Sequence, residues 1–93
     1  MKILVCCGSG LGSSFMMEMN IKKLLKELDL EGIEVSHTDL SSAAGYKADL
    51  YVATRDIADQ LTSLGEVLTL NSMIDKKELK EKLTKVFKEK NLL

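Results

Sequence analysis

Proline and tryptophan are absent from this 93-residue chain, and its aromatics are two tyrosines and two phenylalanines. A core must therefore be packed from Leu, Ile, Val, Met and Ala. There is one histidine, His37, and the two cysteines, Cys6 and Cys7, stand side by side. Adjacent cysteines make no disulfide framework and bridge each other only with strain. With one histidine and no second Cys/His pair, a tetrahedral zinc site is excluded. No thioredoxin-like Cys-x-x-Cys is present either. The longest apolar runs fall short of a membrane span, and Met1-Lys2 leads into a strand pattern without a signal-peptide layout. A net charge of −1, with no cluster of aromatic and basic residues, gives no reason to expect nucleic acid. The composition, 45% hydrophobic and 29% charged, is that of an ordinary globular chain. The expectation is one cytoplasmic domain over residues 1–93, holding either a reactive thiol or two buried ones.

What is present is a regular alternation of short apolar runs with helical patterns. Lys2 to Cys6 reads as a fully buried strand. From Ser13 or Ser14 the period turns helical, with Met17, Ile21, Leu24 and Leu28 in one stripe, Leu25 beside it, and Gly32 closing the unit. Ile33 to His37 alternates like a strand, and Thr38 to Tyr46 reads as a loop of small residues. Asp49 to Ala53 is a third strand. Asp56 to Leu64 has helical spacing and stops at Gly65. Val67 to Leu70 is a fourth strand, and Asp75 to Lys90 a last helix with Leu79, Leu83, Val86 and Phe87 on one side. The order β-α-β-β-α-β-α predicts an α/β fold: a small four-stranded parallel sheet, doubly wound in the order 2-1-3-4, with helices on both faces. Ligands of such sheets bind at the carboxyl edge, near the point where strand order reverses. The loop after the first strand is then the expected site.

That loop reads Val5-Cys6-Cys7-Gly8-Ser9-Gly10-Leu11-Gly12-Ser13-Ser14. Gly8, Gly10 and Gly12 let successive amides turn inward, and Ser13 or Ser14 suits the cap of the following helix. Amides, a helix amino end and serine hydroxyls together form an anion cradle. The same setting favours thiolate over thiol. Neighbouring strand residues point to opposite faces, so only one cysteine can serve the loop. Cys7, against Gly8, is the candidate nucleophile, and Cys6, inside the strand, is read as packing.

Other phosphate loops fit less well. A Walker A loop needs Gly-Lys-Ser/Thr, and no lysine lies between Lys2 and Lys22. A dinucleotide fingerprint can be forced as Gly8-x-Gly10-x-x-Ser13 with Asp39, but so short a chain has little room to cover a dinucleotide. A tyrosine-phosphatase loop would place arginine where Ser13 stands, and the only arginine is Arg55. Asp39, Asp56 and Asp75 could each supply an acid for hydrolysis, and nothing singles one out. The loop suits accepting a phosphoryl group and passing it on. A small phosphatase-like hydrolase and a non-catalytic anion-binding module remain as alternatives.

Cys7 to Ser14, continued by Phe15-Met16-Met17 and by the stretch Val35 to Ala58, resembles the enzyme IIB components of the bacterial sugar phosphotransferase system. The resemblance covers nearly the whole chain and is nearer the ascorbate type than the galactitol type. It implies a phosphocarrier. Such proteins take a phosphoryl group from a phosphohistidine of the IIA component, hold it as phosphocysteine, and pass it to sugar bound by the membrane IIC component. It implies Cys7 as the phosphocysteine, the amides of Gly8, Ser9, Gly10, Leu11, Gly12, Ser13 and Ser14 as the phosphate loop, and L-ascorbate as the sugar. No metal and no cofactor are expected: the sequence shows no cluster of carboxylates for magnesium, backbone dipoles can compensate the spread charge of a loose transition state, and a thiolate attacks without a dedicated base.

A carrier must meet two proteins in turn. At about 100° per residue, Phe15 and Met19 fall opposite the core stripe and Met16 lies to one side. These are candidate docking residues, unless the Thr38–Tyr46 loop folds over them. Arg55, at the start of the loop after the third strand, could touch phosphate or an acidic partner. A surface charge at a helix start is the commoner role. Asn71-Ser72 is a similar, weaker case. His37 sits near a strand end with no acid at a telling spacing to orient it, so a packing or hydrogen-bonded role is favoured over phosphoacceptor. The last helix carries seven lysines against four acids from Asp75 to Lys90, read here as its solvated side.

Overall fold

The computed structural model describes residues 1–7, 12–72 and 75–93, and of Gly12 and Ser13 the backbone alone. Four strands, β1 (Lys2–Cys7), β2 (Glu34–Asp39), β3 (Leu50–Thr54) and β4 (Val67–Leu70), pair in parallel in the order β2-β1-β3-β4. The helices are α1 (Gly12–Glu27), α2 (Leu40–Ala43), α3 (Arg55–Ala58) and α4 (Lys76–Glu89). Both the parallel α/β class and the strand order agree with the sequence reading.

Side chains of β1 alternate between two apolar layers, which is why this strand reads as a continuous hydrophobic run. Ile3 and Val5 pack with Met17, Ile21, Leu24 and Leu25 of α1 and with Leu79, Leu83, Val86 and Phe87 of α4. Leu4 and Cys6 face the other way, against Ala43, Tyr51, Ala53, Ile57 and Leu61. The two long helices thus cover one face, and α2 and α3 the other.

Several boundaries differ from the sequence expectation, each for a local reason. Thr38 and Asp39 continue β2 beyond His37, and part of the expected loop is the single turn α2. Asp39 caps that turn, accepting from the Ser42 amide at 2.8 Å and the Ser41 hydroxyl at 3.0 Å. The helix expected over Asp56–Leu64 is helical only over Arg55–Ala58 and then becomes a run of turns closed by three-residue bonds, Gln60 N–H to Ile57 and Leu61 N–H to Ala58. Thr62 donates its hydroxyl to the Asp59 carbonyl, a local bond that competes with regular helix. At the end of α1 the closing residue is Asp29, not Gly32. Asp29 takes φ +56, and the Leu30 amide reaches back to the Leu25 carbonyl at 2.9 Å. Asn91, at φ +60, ends α4 in the same way, with Leu92 N–H bonded to the Phe87 carbonyl. At its other end Asp75 caps α4, accepting from the amides of Lys77 and Glu78.

Candidate functional site

In a parallel sheet every strand ends on the same edge. Here that edge carries Cys7 from β1, Asp39 from β2, Thr54 from β3 with Arg55 directly after it, and Asn71 and Ser72 after β4. Cys7 pairs with Asp39, and Thr54 with Leu70. Cys7 is the last residue of the strand between β2 and β3, and α1 begins at Gly12. Gly8, Ser9, Gly10 and Leu11, expected to line an anion cradle, lie outside the described residues, as does the side chain of Ser13.

The two cysteines are separated by strand alternation. Cys6 is fully buried among Leu4, Tyr51, Ala53 and Ile57. Burial, with smaller contributions from the Cys7 and Asp39 charges beside it, pushes the Cys6 thiol up to about 11. That side chain is a neutral packing residue at ordinary pH. Cys7 turns to the α1 side and retains 7% exposure at the sheet edge. Its Sγ donates to the Ser14 Oγ at 3.4 Å. This bond corrects one expectation. Because α1 already includes Gly12, both Ser13 and Ser14 lie inside the first turn rather than capping it, and the wholly buried Ser14 hydroxyl faces the strand end. No acidic residue occupies that turn, so nothing there opposes an anion near the positive end of the helix.

The exposed flank of α1 begins immediately beyond Ser14. Phe15, Met16 and Met19 are 49%, 57% and 46% exposed. The 38–46 segment therefore does not bury them. Phe15 lies against His37, ring centroids 5.4 Å apart and planes inclined by 32°. Sequence spacing gave His37 no acidic partner, yet the structure supplies one. The Glu18 carboxylate lies 3.0 Å from its Nδ1, and Lys22 reaches the other Glu18 oxygen at 3.3 Å. The two partners are 19 residues apart, brought together by the packing of α1 over strand β2, so no local motif could have announced them.

Arg55 opens α3 at the same edge and donates from Nη1 to the Asn71 Oδ1 at 3.3 Å. Asn71 is itself anchored: its amide donates to both Glu78 oxygens and its side-chain nitrogen to one of them, while the Ser72 amide also reaches Glu78. These bonds, the Asn71 amide foremost and Lys82 next, hold the Glu78 carboxyl below its usual range. The Asp39 carboxyl is lowered likewise, by the Ser42 hydroxyl first, then the Ser42 amide and the Ser41 hydroxyl. Asn71 thus serves as a bracket between α4 and Arg55. Among the described residues no helix is long and apolar enough to cross a membrane.

This chain is similar to known proteins over most of its length. The family described as "PTS system, Lactose/Cellobiose specific IIB subunit" matches residues 2–85. A protein of Shigella dysenteriae serotype 1 (strain Sd197), named ascorbate-specific PTS system EIIB component, is 33% identical over 95% of this chain and 90% of its own length. The same identity and coverage hold for the protein of that name from Escherichia coli O157:H7. One from Salmonella choleraesuis (strain SC-B67) is 32% identical over the same shares. With a parallel sheet, a cysteine at the carboxyl edge of the inner strand β1, and matches spanning nearly the whole sequence, the chain belongs to the IIB subunits of the bacterial phosphotransferase system.

Proposed function

We propose that the chain is a phosphocarrier whose Cys7 accepts a phosphoryl group from a phosphohistidine of a IIA component and passes it to sugar held by a membrane IIC component. The observation that carries this reading is the place of Cys7: the carboxyl end of β1, turned toward the start of α1, its sulfur bonded to the Ser14 hydroxyl. The names of the relatives make L-ascorbate the proposed sugar.

The chemistry follows from the thiol. Ionised, Sγ attacks phosphorus in line with the P–N bond of phosphohistidine; the S–P bond forms, the P–N bond breaks, and the leaving imidazole keeps the electron pair and takes a proton. In the second step a sugar hydroxyl attacks, its proton goes to solvent, and the S–P bond breaks to return the thiolate. A loose transition state asks for alignment and for donors around the three spread oxygens. The amino end of α1 supplies a positive field, and the amides from Gly8 to Ser14 are the proposed donors. A hydroxyl both donates and accepts, so Ser14 accepts from the thiol and donates to the thiolate. Phe15, Met16, Met19 and Arg55 are the proposed docking residues.

Incubation with the phosphorylated IIA protein of an ascorbate-specific system tests the reading. A carrier keeps the phosphoryl group until sugar and IIC are supplied. Steady release of inorganic phosphate would identify a hydrolase, and neither retention nor release a module that only binds anions.

A further inference from the structure

We propose that Glu18 and His37 are positioning residues that hold the ring of Phe15 in the orientation in which it meets the phosphoryl donor. The inference rests on the carrier reading above. Among the described residues Glu18 is the one buried acid, at 9% exposure. A carboxylate taken out of water is costly unless paired and hydrogen-bonded. It stands one turn beyond Ser14 on the side of α1 that faces the sheet, where an aliphatic residue would pack more simply. What the carboxylate secures there is His37.

The carboxylate offers only acceptors, so the His37 Nδ1 at 3.0 Å carries the hydrogen, and the ring is fixed in both tautomer and tilt. Lys22, one turn further along α1, steadies the second Glu18 oxygen at 3.3 Å. The imidazole then forms a wall for Phe15, three residues before Glu18, at a centroid distance of 5.4 Å. His37 pairs with Val5 on β1, two residues before Cys7 on the same face of the sheet, so the wall stands beside the strand that ends in the sulfur. Phe15 is half exposed and directly follows the serine that touches Cys7. An unsupported ring at this position would have to be ordered each time a partner docks. Ordering one such side chain weakens association by roughly two- to tenfold. The pair removes that loss in advance.

The test is the KM and kcat for transfer from the phosphorylated IIA protein of an ascorbate-specific system, with thermal melting of each variant as the measure of fold. Phe15→Ala, His37→Ala and Glu18→Ala are expected to raise KM by roughly two- to tenfold at unchanged kcat. Adding His37→Ala to Phe15→Ala is expected to raise it no further, because the wall has no ring left to hold. Glu18→Gln, whose amide oxygen still accepts from Nδ1–H, is expected to keep a near-native KM. Independent, multiplying effects of Phe15→Ala and His37→Ala overturn the proposal, as does a native KM for folded Glu18→Ala. Should His37→Ala fail to fold, the contrast between Glu18→Gln and Glu18→Ala decides. If the wild-type chain accepts no phosphoryl group, the carrier reading fails, and the same cycle measured as calorimetric affinity for IIA decides the positioning role separately.

Discussion

Cys7 and Ser14, seven residues apart, meet where β1 gives way to α1, thiol to hydroxyl at 3.4 Å. The contact fastens the strand end to the first turn of the helix and gives the sulfur a partner suited to either of its protonation states. Ser14→Ala removes that partner at a wholly buried position. Stability is expected to fall by about 1 kcal/mol, the usual size for one buried hydrogen bond. The rate of phosphoryl acceptance is expected to fall several-fold more than the change in folded fraction explains. Urea denaturation and single-turnover transfer measure the two effects.

Cys6 gives a prediction with a sign. Its thiol titrates at about 11 in the folded chain, above its ordinary value of 9.0. Above pH 9 the unfolded chain releases this proton while the folded chain keeps it. Stability from this group is therefore full below pH 9, declines as pH rises, and levels off beyond 11. In Cys6→Ala that part of the decline is absent, at a packing cost of about 1 kcal/mol. Melting curves of both proteins from pH 7 to about 11 read the difference. At pH 8 Cys6 should also resist iodoacetamide until the chain is unfolded.

Gly65 sits at φ +156, and a Cβ there would come within 3.3 Å of the Tyr51 ring. Gly65→Ala therefore meets both backbone strain and a neighbour on the β3 strand. A loss of about 1 kcal/mol or more is expected in denaturant titration. Gly32→Ala, at φ +79 with nothing within 4 Å among the described residues, keeps the strain without the tight contact, and should cost less.

The parts of this fold that could be read from sequence are those where one residue's environment repeats along the chain. β1 is buried on both faces and reads as an unbroken apolar run; α1 and α4 bury a single stripe and read as helices. The strand order followed from right-handed crossovers and a central first strand. α2 and α3 were harder because a single turn has no period to detect, and Asp39 and Thr62 act through bonds to neighbours only two or three residues away. The Cys7–Ser14 contact was half visible: the loop composition pointed to the sulfur, but the start of α1 at Gly12 decides that Ser14 faces the strand. The Glu18–His37 pair was not visible at all. Its members belong to different elements, and only the packing of α1 over β2 brings carboxylate and imidazole together.

One sulfur carries the proposed phosphocarrier chemistry. After incubation with phosphorylated IIA and quenching at a pH that preserves thiophosphate, peptide mapping by mass spectrometry is expected to find the phosphoryl group on Cys7, to lose it in Cys7→Ser, and to keep it in Cys6→Ser. A phosphoryl group found on His37 or Cys6, or retained by Cys7→Ser, contradicts it.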